Sequence, residues 1–167
     1  EIKNFGQFEW AKTMSLEDRL GLIESMIHTL AKTHAKGKTW GEAILPNFIF
    51  TKELRSILVD PETSYERIPV LEQRAIDLRN FITSVSGALA RSDGYTDFKR
   101  IAAQVIEAYD DSEVAAELAR VVSRPLPWRQ RLTFGIWGKF RIGSTDLKEY
   151  ERVRVAIRDV LEKFVAR

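Results

Sequence analysis

Two stretches of this chain place apolar residues alternately four and three positions apart, and a third repeats them mostly every three or four positions; this spacing constrains the fold more than any other feature. Because an α-helix turns about 100° per residue, such a spacing collects the apolar side chains on one face. Each stretch therefore predicts an amphipathic helix with one buried face. The three stripes are Leu16, Leu20, Ile23, Ile27, Leu30 and His34; Leu71, Ala75, Leu78, Ile82, Val85 and Leu89; and Leu147, Tyr150, Val153, Ile157, Val160, Leu161 and Phe164.

Capping and helix-breaking residues predict where these helices begin and end. Ser15 is a predicted N-cap, Gly37 a predicted C-cap, and Pro69 fits the first turn of a helix that ends at Ser92-Asp93-Gly94. Shorter helices are predicted over 97–109, 112–122 and, after Thr51 as N-cap, 51–59. The last helix is predicted from Thr145 to near the C-terminus. The sequence thus predicts an all-α fold with five to six helices in an irregular bundle.

The length and composition of the chain predict one folded unit. A chain of 167 residues with 44% hydrophobic and 30% charged residues can build a core without disulfides or metals. We therefore expect a single helical domain over residues 1–167. Residues 1–14 carry Phe5, Phe8 and Trp10 without a clear period, and they are expected to form a peripheral N-terminal arm.

The same composition excludes several classes of site. The chain has no Cys, so disulfides, thiolate metal sites and cysteine nucleophiles are excluded. It has no apolar run near the roughly 20 residues that span a bilayer, and its first residues do not resemble a signal peptide. These observations predict a cytoplasmic protein, or a domain or processed piece of one, since the sequence starts at Glu1. No cofactor and no metal is expected.

A basic and aromatic segment, residues 118–145, interrupts the helical pattern. It holds six Arg and Lys, no Asp or Glu, and two of the four Trp of the chain. Pro125 and Pro127 end the preceding helix, and from Arg131 onward apolar residues fall on every second position. This alternation predicts a small β-hairpin or extended ribbon near residues 131–142, with one apolar face and one cationic face.

Three interpretations of this segment stay open at the level of sequence. The charges can be the solvated face of a protected edge hairpin, part of a protein-binding surface, or contacts to the phosphates of a nucleic acid. Either binding role would use the basic and aromatic side chains together. The candidate binding residues are Arg124, Trp128, Arg129, Arg131, Trp137, Lys139 and Arg141.

Catalytic and metal-binding patterns are missing from the sequence. His28 and His34 are six positions apart, about 240° around a helix, so they cannot share a metal ion. His34 continues the first apolar stripe, which predicts a hydrogen-bonded core residue. Our leading hypothesis is a non-enzymatic interaction or regulatory domain that binds a protein partner, with nucleic-acid binding through residues 124–141 as the alternative. An enzyme built from carboxylates distant in sequence is a third class, and the sequence leaves the oligomeric state open.

Overall fold

The computed structural model describes residues 3–4, 14–51, 53–61, 67–124 and 147–165, and within these it contains five α-helices and one small antiparallel sheet. The all-α class with five to six helices is thereby confirmed. The predicted ribbon near 131–142 and most of the arm 1–14 lie outside the described residues. The helices are α1 (Leu16–Ala35), α2 (Val70–Asp93), α3 (Phe98–Tyr109), α4 (Ser112–Ser123) and α5 (Leu147–Val165), and the strands are β1 (Lys3–Asn4), β2 (Phe48–Phe50) and β3 (Ser56–Leu58).

The helix ends agree with the capping residues in the sequence. The Ser15 side chain accepts a hydrogen bond from the Asp18 N–H at 3.1 Å, which caps α1. Asp97 caps α3 and Asp111 caps α4 in the same way. Gly94 ends α2 with a φ of +64°, a conformation that costs glycine little because it has no Cβ. Local chemistry therefore sets most helix boundaries.

The apolar stripes meet in one hydrophobic core. α2 packs mainly on α4, α5 packs on α3 and α4, and α1 packs on α3 and β3. The largest fully buried side chains come from α1, α2, α3 and the segment around β2: Phe48, Phe50, Phe81, Ile23, Met26, Ile27, Leu30, Leu45, Leu78, Ile82, Leu89 and Ile101. No helix of the described part is long and apolar enough to span a membrane.

The predicted helix over 51–59 is wrong, because this stretch forms the turn and the second strand of a hairpin. Strands β2 and β3 pair antiparallel with Ile49 opposite Ile57, and β1 pairs with the other edge of β2. The chain reverses at Leu54, whose φ of +58° is incompatible with a right-handed helix. Burial of Phe48 and Phe50 in the core fixes β2 as an extended segment, and tertiary packing overrides the weak helical spacing that follows it.

A second stripe on α2, which is polar, holds a loop against the helix. We call Gln73, Asp77, Asn80 and Ser84 the polar stripe and residues 39–45 the anchored loop; the stripe members are spaced four, three and four positions apart. Each side chain of the polar stripe forms a hydrogen bond with the anchored loop. Because the loop has little regular structure of its own, these bonds satisfy backbone N–H and C=O groups that a β-sheet would otherwise pair. The contacts are Thr39 Oγ1 to Gln73 Oε1 (2.5 Å), the Trp40 and Gly41 N–H groups to Asp77 Oδ2 and Oδ1 (2.7 and 2.8 Å), Asn80 Nδ2 to the Gly41 carbonyl (3.4 Å) and the Leu45 N–H to Ser84 Oγ (3.0 Å).

Two buried serines of α2 provide a matched test of the polar stripe. Ser84 accepts the Leu45 N–H, whereas the hydroxyl of Ser86 is buried and has no hydrogen-bond partner. We expect Ser84→Ala to lower the free energy of unfolding by about 1–2 kcal/mol, because it leaves a buried N–H unsatisfied. Ser86→Ala removes only an unpaired hydroxyl and should change it by less than about 0.5 kcal/mol. Urea unfolding measures both, and equal losses would contradict the role given to the stripe.

Candidate functional site

Only Arg124 of the seven basic and aromatic residues nominated from the sequence lies within the described residues. Arg124 ends α4, and its guanidinium forms an ion pair with the carboxylate of Glu72 on α2. The Arg124 side chain is half exposed, and the pair links α4 to α2, so Arg124 has a local structural partner. The other six nominated residues, Trp128, Arg129, Arg131, Trp137, Lys139 and Arg141, lie outside the described residues, and they remain a prediction.

A buried chain of Tyr109, His34 and Asp77 is the most concentrated polar chemistry in the described part of the chain. The Tyr109 hydroxyl lies 2.6 Å from His34 Nδ1, and His34 Nε2 lies 3.1 Å from Asp77 Oδ2. A neutral imidazole with its hydrogen on Nε2 satisfies both contacts, donating to the carboxylate and accepting from the phenol. The expectation that His34 is a hydrogen-bonded core residue is confirmed.

This order of carboxylate, imidazole and hydroxyl is chemically the order of an acid–base relay, but its burial prevents contact with a substrate. Tyr109 is 6% exposed, His34 1% and Asp77 0%. Burial, followed by the negative charge of Asp111, raises the pKa of the Tyr109 hydroxyl far above its usual range, so the phenol stays protonated. The hydrogen-bonded side chains of Tyr109, His34 and Asp77 therefore act as a structural link between α1, α2 and α3.

An open groove between α3 and α5 is lined entirely by described residues. Its volume is about 870 Å³, which falls within the range of ligand-binding clefts. Phe98 is buried at its base, and Val155 of α5 is 40% exposed on its wall, one of the few large apolar side chains of the described residues with that exposure. The lining residues are Thr96, Asp97, Phe98, Lys99, Lys148, Glu151, Arg152, Val155 and Ala156.

The charged groups of the groove fall into two sets. The first set is paired: Lys99 Nζ lies 2.6 Å from Asp159 Oδ2, Glu151 Oε2 accepts from Arg154 Nε at 2.8 Å, and Asp97 caps α3. The second set consists of Lys148 and Arg152, which form no ion pair with a described carboxylate. The Arg152 guanidinium carbon lies 5.1 Å from the centre of the Phe98 ring, a cation–π distance.

The ion pair between Lys99 and Asp159 bridges the two helices that form the groove. The hydrogen bond from Lys99, together with the charges of Lys99, Arg158 and Lys163, lowers the pKa of Asp159 below its usual value. Asp159 therefore stays ionised at any physiological pH, and the bridge between α3 and α5 is retained.

Sequence reasoning missed this groove, although one signal of it is present. Val155 lies outside the inward stripe predicted for α5. Lys148, Arg152 and Val155 follow one another at intervals of four and three residues, which places all three side chains on one face of the helix. An apolar residue on a charged face is a weak signal by itself. The opposite wall comes from α3, some fifty residues earlier in the chain, and no local pattern connects the two.

The buried chain makes a testable statement about stability at high pH. The folded state raises the pKa of the Tyr109 hydroxyl. The contribution of this hydroxyl to the free energy of unfolding is therefore fully present below the unfolded pKa of about 10, and it is lost as the pH rises above that value. The difference in unfolding free energy between wild type and Tyr109→Phe should be constant up to about pH 10. Above it, wild type should lose up to about 1.4 kcal/mol per pH unit relative to the variant. Urea unfolding over this pH range measures the difference, and a constant difference throughout would show that Tyr109 titrates normally.

Comparison with protein-family models, with curated proteins and with solved structures gave no match for this chain.

Proposed function

We propose that this protein is a non-enzymatic interaction domain that binds a segment of a protein partner in the groove between α3 and α5. The observation that carries the proposal is the exposed side chain of Val155 on the wall of an open groove whose base is the ring of Phe98. A cleft with an apolar base and wall and a charged rim has the composition of a peptide-binding groove.

The positions of the acid–base side chains favour a binding role over catalysis. The one acid–base chain of the described residues, Tyr109–His34–Asp77, is buried, and the described residues hold no group of three metal-ligating side chains. In the groove, both lining carboxylates are engaged by neighbouring groups of the protein, so neither stands ready as a general base. What the groove offers is shape, apolar surface and two cations.

The first experiment asks whether the groove binds peptides at all, independently of charge. A displayed library of random peptides is selected against the whole chain, and the selected peptides are measured against Val155→Trp, which fills the groove. Val70→Trp is the matched control, because Val70 is 50% exposed, against 40% for Val155, and does not line the groove. It lies at the start of the 24-residue helix α2, roughly 35 Å along the helix axis from Gly94, which precedes the groove residue Thr96.

We expect Val155→Trp to weaken binding at least about tenfold, equivalent to roughly 1.4 kcal/mol, and Val70→Trp to leave it unchanged. Circular dichroism of both variants checks that the helices are intact. A library that yields no binding peptide, or peptides that bind Val155→Trp as well as wild type, would refute the proposal.

The alternative function, nucleic-acid binding, has one observation in its favour. Residues 118–145 contain six basic and no acidic residues. Of these six, Arg120 and Arg124 are paired with Glu117 and Glu72. The alternative assigns the phosphate contacts to Arg129, Arg131, Lys139 and Arg141, which lie outside the described residues.

This alternative predicts a steep salt dependence. Binding of a fluorescent single-stranded oligonucleotide should weaken by a factor of about 10 or more between low and physiological salt, because each neutralised phosphate releases counterions. Arg131→Ala and Arg141→Ala should each reduce both the affinity and the slope of its logarithm against that of salt concentration. Absence of binding at low ionic strength would dispose of the alternative.

A further inference from the structure

We infer that the groove between α3 and α5 selects an acidic segment, one with an apolar anchor residue flanked by Asp or Glu. This inference rests on the proposed function and adds the chemical class of the partner.

The carboxylates of the groove are occupied. Asp97 Oδ1 accepts the N–H of Arg100 at 3.1 Å and caps α3, and Glu151 is held by Arg154, which also donates to the Val122 carbonyl at 3.0 Å. Removing either carboxylate from its partner would cost a helix cap or an ion pair. These groups are therefore poor partners for a basic ligand.

Lys148 and Arg152 are the available cations. They are four residues apart on α5, so they stand on one face about 6 Å apart along the helix axis. A ligand carboxylate placed beside them would be attracted by both charges.

Arg152 is oriented for the same kind of ligand. Its guanidinium carbon lies 5.1 Å from the centre of the Phe98 ring, a cation–π contact that restricts the side chain. A guanidinium held in this way can form two parallel hydrogen bonds to one carboxylate. Stacking on Phe98 thus reduces the ordering cost of binding an Asp or Glu side chain.

The apolar part of the groove follows the cations along α5. Val155 and Ala156 lie one turn beyond Arg152 and face the region of Phe98. An anchor such as Leu or Phe placed against Val155 would set acidic neighbours beside Arg152 and Lys148. A nucleic-acid strand fits this pattern less well, because it needs a continuous row of cations, and Asp97 and Glu151 interrupt the row here.

The test compares three synthetic peptides that share one Phe anchor and differ only in the flanking residues, which are Asp and Glu, Asn and Gln, or Lys. Binding to the whole chain is followed by fluorescence anisotropy at low and physiological salt. The charge-reversal variant is Lys148→Glu with Arg152→Glu. Its control is Lys36→Glu with Lys38→Glu, two reversals of exposed lysines in the turn after α1 that do not line the groove.

We expect the acidic peptide to bind wild type at least about tenfold more tightly than the neutral one, and the basic peptide to bind least. The Lys148→Glu and Arg152→Glu variant should lose this preference and bind the basic peptide better than wild type does. The control variant should keep the wild-type order. A gain of binding by the reversed pair cannot come from misfolding, so it separates recognition from damage.

Each contrary result has a separate meaning. Suppose that the neutral peptide binds wild type as tightly as the acidic one does, and that Val155→Trp weakens the binding of both. This result would overturn the acidic preference and leave the groove as a peptide site. No binding by any of the three peptides, together with a failed library selection, would overturn both statements. If the acidic peptide does not bind, and an oligonucleotide binds wild type but not the Lys148→Glu and Arg152→Glu variant, the groove would be assigned to nucleic acid.

Discussion

The buried carboxylate of Asp77 is the interaction on which the surrounding structure depends. A charge with no exposure to solvent is tolerated only when hydrogen bonds replace its hydration, and Asp77 receives them from the N–H groups of Trp40 and Gly41 and from His34 Nε2. These donors belong to the anchored loop and to α1, while Asp77 belongs to α2. One side chain therefore joins three parts of the chain, and the link continues through His34 to Tyr109 at the end of α3.

This arrangement connects the core to the groove. Tyr109 holds the C-terminal end of α3 against α1, and the ion pair of Lys99 with Asp159 holds its N-terminal end against α5. The anchored loop in turn leads into the hairpin, since the indole N–H of Trp40 donates to the Val59 carbonyl after β3. The wall of the groove that α3 supplies is thus fixed at both ends, by a buried polar chain and by a surface ion pair.

The sequence predicts the helices well and the segment between α1 and α2 poorly, for a physical reason. The 4-3 spacing and caps such as Ser15 and Asp97 are local signals, and local signals decide helix boundaries. The stretch 51–59 has only a few apolar residues at helical spacing, and burial of Phe48 and Phe50 outweighs them. The polar stripe at 73, 77, 80 and 84 is visible in the sequence as a 4-3-4 repeat. The anchored loop that it contacts has no sequence pattern that would predict the contact. The groove escapes prediction because its walls are brought together only by the fold.

A groove between two fixed helices bears on how tightly a short segment can be held. Binding costs free energy for every side chain that must be ordered, and here Arg152 is already stacked on Phe98 while Lys99 is already paired. The hydrogen bond from Lys99 lowers the pKa of Asp159, so Asp159 stays ionised and available to Lys99 in mildly acidic solution. Lys148 is the one cation of the groove without such a restraint. Discrimination among acidic segments should therefore come from Arg152 and the Val155 wall, with Lys148 adding a longer-range attraction that salt weakens.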